Sequence, residues 1–201
     1  MKQTNAKNTG NLSLPTTQQL KEELHREQYK SRYRGALRGT VWTLVVVAAA
    51  AILCATFFLS VLKIQGTSME PVFQKGEMVL ALKTADFKSG DIIAFYYNNQ
   101  VLLKRAIGAP GDWIDIDEEG TVYVNGEKLD EPYILEKSRG DGDVEFPFQV
   151  PDGRWFVLGD HRSTSSDSRS SIIGTVSGEQ IVGKVILRFW PLSALSFISR
   201  S

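Results

Sequence analysis

The sequence predicts a mainly β protein in which one N-terminal transmembrane helix precedes an antiparallel β domain. The stretch from Gly39 to Leu62 contains no charged residue. A helix of this length crosses the roughly 30 Å hydrocarbon core of a bilayer. After it, short apolar or alternating runs separated by turn residues are typical of antiparallel strands. The predicted divisions are an arm over residues 1–38, a membrane helix over 39–62 and a folded domain over 63–201.

The arm before the apolar stretch predicts the orientation in the membrane. Residues 1–15 are polar and are predicted to be disordered. The segment from Thr17 to Arg34 is rich in helix formers, and we expect either a short helix beside the membrane or, preferably, a solvated charged arm. The cations nearest the membrane on this side are Arg32, Arg34 and Arg38, whereas Lys63 alone follows the stretch before Lys75. The positive-inside rule therefore places the N-terminus in the cytoplasm.

Seven segments of the remaining chain are predicted to be strands. They are EMVLALK, DIIAFYY, QVLLKRAIG, DWIDID, TVYVNGEKL, RWFVLGD and IVGKVILRFW. The pair Asn125-Gly126 is typical of a two-residue hairpin turn, and a second turn is predicted at Asp117–Gly120. Residues 136–153 are rich in glycine, aspartate and proline and are predicted to form a long surface loop.

The composition limits the classes of function. The 201 residues have a formal net charge of +0 at pH 7, which gives no electrostatic case for nucleic-acid binding. The only cysteine, Cys54, lies in the apolar stretch and cannot form an internal disulfide. The two histidines, His25 and His161, are far apart in the chain. We therefore expect no metal site built on histidine and cysteine, and no cofactor.

Lys104 lies in a strongly apolar predicted strand, next to Arg105. Both faces of this strand are mostly apolar, so at least one of the two cations is expected to be buried. Arginine stays charged and needs a carboxylate partner. A buried lysine can instead lose its proton, because burial lowers its pKa, and the neutral amine can act as a general base. The alternative is that Lys104 reaches solvent at the sheet edge and Arg105 pairs at the surface.

The turn GTSMEP carries Ser68, which is either a plain turn hydroxyl or a nucleophile. A serine nucleophile needs a base that takes its proton, and Lys104 is one candidate. The other candidate is His161, in a Ser-His-Asp arrangement. The acidic residue of that arrangement would be Asp160 or Asp167. His161 lies in a polar turn, where an exposed histidine without a catalytic role is the ordinary expectation.

The stretch GDHRSTSSDSR supplies hydroxyl groups and an ion pair. Ser165 is expected to donate a hydrogen bond to a neutral lysine and to orient it. Asp167 and Arg169 are expected to pair with each other, or one of them with Arg105. A purely structural loop network would explain the same residues.

These stretches, in this order, resemble the motif boxes of bacterial type I signal peptidases, the membrane-bound Ser/Lys proteases of peptidase family S26. SMEP is similar to the nucleophile box, GDIIAF to a structural box, KRAIGAPGD to the lysine box and GDHRSTSSDSR to the last box. The resemblance covers roughly residues 35–192. It implies the antiparallel β fold that signal peptidases share with proteases of the SOS-repressor type.

The resemblance also implies a role for each matching residue. Ser68 would be the nucleophile, its backbone N–H would bind the oxyanion, and Lys104 would be the general base. The implied supporting residues are Ser165, which would bond the lysine, Asp167 and Arg169, which would form a salt bridge, and Arg105, which would be structural. Met69 and Pro71 would shape the floor and turn of the site. Gly66 occupies the position where one branch of the family has a serine donor, so this chain resembles the Gram-positive-type branch.

The implied function is the removal of signal peptides from secreted preproteins with Ala-x-Ala-like cleavage sites. The enzyme would be a single-pass protein of the cell membrane, would contact lipid, and would carry an extracytoplasmic catalytic domain over residues 63–201. Four aromatic residues would either rest on the membrane or, by default, pack in the core: Phe73, Phe146, Phe148 and Trp190. Three alternatives stay open: an anchored autoprotease or regulator on the related fold, a non-catalytic chaperone-like relative, and a peptidase with a single client.

Overall fold

The computed structural model describes residues 16–84 and 86–198. The predicted disorder of residues 1–15 lies outside the described residues. The chain divides into two compact units, Met1–Leu53 and Cys54–Ser201. A single helix, α1, runs from Thr17 to Phe58, and it is long and apolar enough to cross a membrane.

The helix differs from the sequence-based expectation at both ends. It begins at Thr17, so the segment that we expected to be a solvated arm is helical. It ends at Phe58, and Leu59–Lys63 form strand β1 rather than the last turn of the predicted helix. The reason is tertiary: Leu59 to Lys63 pair antiparallel with Leu82 to Met78 of the next strand. Sheet pairing satisfies the same backbone groups that a further helical turn would satisfy.

Eleven more strands follow β1 in the part of the chain that the structure describes. They are β2 Met78–Leu82, β3 Ile92–Tyr97, β4 Gln100–Gly108, β5 Trp113–Ile116, β6 Val122–Val124, β7 Glu127–Lys128, β8 Phe148–Gln149, β9 Arg154–Leu158, β10 Val176–Ser177, β11 Ile181–Trp190 and β12 Ser196–Phe197. The strand order is β1-β2-β11-β3-β4-β9-β10 in the large sheet, where β12 also pairs with β11, and β7-β6-β5-β8 in the small sheet. Two short 3-10 helices lie at Gly178–Gln180 and Leu192–Ala194. Every strand pair is antiparallel.

This architecture confirms the predicted antiparallel β fold. Each of the seven predicted segments contains at least one strand. Asn125 and Gly126 have φ values of 54° and 82°, as a tight hairpin between β6 and β7 requires. The turn at Asp117–Gly120 also forms, since the Gly120 N–H donates to the Asp117 carbonyl over 3.0 Å. The predicted loop over residues 136–153 is mostly irregular but includes β8.

Three clusters of buried apolar side chains stabilise this domain. One lies below the Ser68 turn and contains Met69, Phe73 and Val79. Phe146 and Phe148 pack on a second cluster around Phe156. Three of the four aromatic residues considered for membrane contact therefore have a packing role: Phe73, Phe146 and Phe148. The fourth, Trp190, is 51% exposed.

Candidate active site

The Ser68 turn connects β1 to β2 and is fixed by its own hydrogen bonds. The Glu70 N–H donates to the Thr67 carbonyl over 3.0 Å, and the Phe73 N–H donates to the Met69 carbonyl over 2.8 Å. Met69 is 2% exposed and Phe73 is fully buried, so these two side chains anchor the turn in the core. Ser68 stays half-buried and open to a groove.

The Lys104 side chain lies in a place that disfavours its charge. It projects from β4 and is only 3% exposed. Its amine donates a hydrogen bond of 2.8 Å to Ser165 Oγ. Burial lowers the pKa of Lys104 to about 8, an effect that the Asp167 carboxylate opposes and the Arg169 charge supports. The amine therefore holds its proton much less tightly than an exposed lysine.

Asp167 and Arg169 form a buried pair beside this lysine. Arg169 Nε donates to Asp167 Oδ1 over 2.8 Å, and Arg169 Nη2 donates to Asp167 Oδ2 over 2.9 Å. Burial acts to raise the pKa of Asp167, but the hydrogen bonds and charge of Arg169 outweigh it and keep that pKa below its ordinary value. Asp167 is therefore an ionised acceptor at neutral pH.

Ser165 lies between Lys104 and Asp167. The Lys104 amine donates to Ser165 Oγ over 2.8 Å, so the predicted contact between this serine and the lysine forms. The Ser165 hydroxyl also helps to keep the pKa of Asp167 below its ordinary value.

Gly159 is the point at which the separate stretches meet. A Cβ atom on Gly159 would collide with Ser165 Oγ and would lie 2.6 Å from the Ser68 carbonyl oxygen. The Gly159 N–H also donates to Asp167 Oδ2 over 3.0 Å, and the His161 N–H donates to the Ser68 carbonyl over 3.1 Å. The structure thus brings the Ser68 turn against the loop that contacts Lys104.

Arg105 finds a partner that the sequence did not indicate. Its Nε and Nη2 atoms donate to both oxygens of Asp160, over 2.9 and 2.8 Å, and its Nη1 donates to the Gly90 carbonyl. The Arg105 guanidinium also lies 3.7 Å from the centre of the Tyr133 ring. Burial raises the pKa of Asp160 in spite of Arg105. The apolar strand predicted that a buried Arg105 needs a carboxylate partner. It did not predict that this partner is Asp160, because the two residues are distant in sequence.

Replacing Arg105 with methionine should destabilise the domain by about 3–5 kcal/mol, since Asp160 would be left buried without a cation. The matched control is Arg154→Met, because Arg154 is exposed and donates to a backbone carbonyl; it should cost about 1 kcal/mol or less. Denaturant unfolding of the full chain in detergent gives both values. Equal effects of the two changes would contradict a structural role for the Arg105 pair.

His161 does not have the partners of a Ser-His-Asp arrangement. Asp160 is bound to Arg105, and Asp167 is bound to Arg169. His161 Nδ1 is buried, accepts or donates no hydrogen bond within the described residues, and lies 3.9 Å from Glu70 Oε2. Neither aspartate therefore orients the imidazole.

A groove of about 670 Å³ lies beside Ser68. It is lined by residues 61–66, Ser68, Met69 and residues 99–103. β1 is the edge strand of the large sheet. The first half of β4 pairs only with β3, because its pairing with β9 begins at Arg105. Two strand edges with free backbone groups therefore border the groove.

Comparisons with known proteins agree with the motif boxes. Residues 37–190 match the family model described as signal peptidase, peptidase S26. Signal peptidase IB of Staphylococcus aureus strain MRSA252 is 36% identical over 179 residues, which are 78% of this chain and 92% of that protein. Signal peptidase I of Bacillus licheniformis is 31% identical over 183 residues, which are 84% of this chain and 97% of that protein. A crystal structure of a signal peptidase I from Enterococcus faecalis V583 is 31% identical, with a TM-score of 0.41, and covers 49% of this chain and 96% of that chain.

The family match spans most of the large and small sheets, and it includes Ser68, Lys104 and the loop from Gly159 to Arg169. The matched residues form the antiparallel fold and include the buried lysine. The chain therefore belongs to the signal peptidases of peptidase family S26.

Proposed function

We propose that this chain is a membrane-bound serine endopeptidase that removes N-terminal signal peptides from secreted preproteins, with Ser68 as nucleophile and Lys104 as general base. The observation that carries the proposal is the burial of the Lys104 amine with a single hydroxyl partner and a pKa of about 8. Burying a charged amine costs free energy, and a lysine with a lowered pKa avoids this cost when it loses its proton. The relatives named signal peptidase support the choice of substrate.

The proposed reaction uses the two side chains in sequence. Neutral Lys104 takes the Ser68 proton as Ser68 Oγ attacks the scissile carbonyl, and the ammonium then protonates the leaving amine. A water deprotonated by Lys104 then attacks the acyl-enzyme, and Lys104 returns the proton to Ser68 Oγ as the signal peptide leaves. Ser165 keeps the amine oriented throughout, because the hydrogen bond between Lys104 and Ser165 does not depend on substrate.

The oxyanion is proposed to bind the backbone N–H of Ser68. Among residues 16–84 and 86–198, none accepts a hydrogen bond from this N–H, so it is free to donate. Gly66 offers no side-chain donor, and a Cβ at that position would meet only the Ser68 nitrogen, 4.0 Å away. Oxyanion stabilisation in this chain thus relies on backbone donors.

The groove beside Ser68 is proposed to hold the cleavage region as an extended strand. The free edges of β1 and β4 can each pair with a peptide backbone, which is the β-strand addition mode of recognition. The groove floor includes Met69 and Leu103, whose side chains pack on the core. Shallow apolar positions of this kind favour small side chains, in agreement with an Ala-x-Ala-like cleavage site.

The helix α1 is proposed to anchor the enzyme, with the N-terminus in the cytoplasm and residues 63–201 outside. Its apolar part is uncharged from Gly39 onward, and arginine is concentrated before it. Ser68 follows the helix end at Phe58 closely in the chain. The nucleophile would therefore lie near the membrane surface, where signal peptides emerge and where lipid is a partner.

The test is cleavage of a preprotein by the full-length chain in detergent or liposomes, with the cut position read by mass spectrometry. A single cut after the signal peptide supports the proposal, and an intact preprotein contradicts it. The assay also separates the rival functions. Cleavage of an unrelated preprotein excludes a single-client peptidase, no cleavage favours a chaperone-like relative, and a cut in the chain itself favours an autoprotease.

The proposed mechanism predicts that kcat/KM rises with pH up to about 8. Burial lowers the pKa of Lys104, and only the neutral amine can accept the Ser68 proton. Well below that pKa, the neutral fraction and hence kcat/KM should fall about tenfold for each pH unit. The measurement is a pH–rate profile, with circular dichroism to show that the fold persists. A flat profile down to pH 5 would contradict a neutral lysine base.

A further inference from the structure

A second cavity lies beside the Ser68 turn and shares no lining residue with the groove. It has a volume of about 240 Å³, and its lining residues are Glu70, Leu135, Glu136, Asp160 and His161. The groove is lined by the chain up to Met69, and the cavity begins at the next residue. The backbone hydrogen bond from His161 to Ser68 ties the far wall of the cavity to the nucleophile turn. The cavity is therefore close enough to Ser68 to be a candidate site for substrate residues that extend beyond the groove.

The direction of the peptide follows from the proposed function, on which this inference rests. The shallow apolar groove is the proposed place of the small residues before the cleaved bond, so the signal-peptide half of the substrate occupies the groove. The cavity then faces the residues after the cleaved bond, which become the N-terminus of the mature protein.

The charges around the cavity are unbalanced. Asp160 is neutralised by Arg105, whereas among the described residues the only cationic partner of Glu70 is His161, when that histidine is protonated. Glu136 accepts a hydrogen bond of 2.7 Å from the Ser163 hydroxyl, which leaves its charge in place. The neighbouring Lys137 donates to Thr121 Oγ1. Two carboxylates thus face the cavity without a lysine or arginine to balance them.

The cavity also offers an apolar surface next to these carboxylates. Leu135 is 81% exposed and lines the same cavity as Glu70 and Glu136. An aliphatic stem that ends in a charged donor fits both features, since the stem packs on Leu135 and the head reaches the carboxylates.

We propose that this cavity is a specificity subsite that binds a lysine or arginine side chain at one of the first two residues of the mature protein. Glu70 supplies the charge that recognises the cationic head, and Leu135 contacts its stem. The subsite binds a residue after the cleaved bond. Its contribution to specificity therefore adds to the recognition of the small residues before that bond.

The test compares matched preproteins that carry lysine, alanine or glutamate at the first or second mature position. The full-length protein in detergent should cleave the lysine substrate with a kcat/KM on the order of fivefold above the glutamate substrate at one of these positions, as expected for partly exposed charges. Glu70→Gln should bring this ratio close to one, and Glu70→Lys should reverse it. Glu118→Gln, at an exposed carboxylate in a distant turn, should leave the ratio unchanged.

The alanine substrates separate the two proposals. If none of the substrates is cleaved, the proposed function fails. If the alanine substrates are cleaved but the lysine and glutamate substrates are cleaved equally well at both positions, the subsite is overturned while the proposed function stands. A charge preference that persists unchanged in both Glu70 variants would also overturn the subsite.

Discussion

Replacing Lys104 with methionine should lower kcat/KM for preprotein cleavage on the order of a thousandfold without unfolding the domain. Methionine fills a similar volume in the apolar strand, but it cannot take a proton from Ser68. Ser68→Ala should be equally inactive, because the two residues act as a unit. The effects on kcat/KM of removing such residues are not additive. The double variant should therefore lose no more activity than either single variant.

The stability of the Lys104→Met variant distinguishes a functional lysine from a structural one. Because the pKa of Lys104 in the folded state is lowered to about 8, the unfolded chain binds more protons between that pH and the ordinary lysine pKa. The buried amine therefore costs stability at pH 7, and this cost disappears as pH rises through that window. Lys104→Met should be at least as stable as the wild type at pH 7.

The control for this experiment is Lys128→Met, at an exposed position in β7, which should retain full activity and stability. Cleavage assays and thermal unfolding of the full chain in detergent give both quantities. An active Lys104→Met variant would contradict the proposed base. A variant that is inactive because it is strongly destabilised would indicate a structural lysine.

Gly159→Ala should be the most damaging change outside the two proposed reacting residues. The added Cβ would collide with Ser165 Oγ, and it would come within 2.6 Å of the Ser68 carbonyl oxygen. One of these groups must move, and either movement displaces the hydroxyl that contacts Lys104 or the turn that carries Ser68. We expect kcat/KM to fall at least on the order of a hundredfold, since misplacement by about 1 Å has an effect of that size.

The same change should also lower the free energy of unfolding by about 1–3 kcal/mol, as overpacking of a tight site does. Gly178→Ala is the matched control, because Gly178 is exposed and no atom lies within 4 Å of an added Cβ there. Activity and denaturant unfolding should both be unchanged in the control. A fully active Gly159→Ala variant would show that Ser68 and Ser165 do not need this close approach.

The antiparallel fold was predictable because its strands have strong local signals. Alternating or continuous apolar runs separated by glycine and asparagine turns predicted the strands, and Asn125-Gly126 predicted one hairpin in detail. The end of the helix was not predictable in the same way. Residues 59–62 are as apolar as the helix before them, and only their pairing with β2 decides that they are a strand.

The candidate site was predictable where local chemistry restricts the choice. A cation in an apolar strand has few ways to satisfy its charge, and this argument predicted that at least one of Lys104 and Arg105 is buried. No local sequence pattern indicated which distant residues would form ion pairs with each other. Arg105 pairs with Asp160, and Arg162 pairs with Glu131, through contacts that exist only after the chain folds.

Glu70 and His161 illustrate the same limit for specificity. Glu70 is the third residue of SMEP, and no local pattern predicted a role for it. Its relevance follows from the cavity that it shares with His161, which is formed by segments distant in sequence. The close approach at Gly159 was likewise visible only in three dimensions.

An NMR titration of the lysine side-chain amines in the full-length Ser68→Ala protein tests the central claim most directly. The claim is that the fold lowers the pKa of the Lys104 amine, so that the neutral amine can accept the Ser68 proton. The Lys104 signal, identified by its loss in Lys104→Met, should titrate near pH 8, well below the ordinary lysine pKa of about 10.4. A Lys104 signal that titrates together with the exposed lysines would contradict the account.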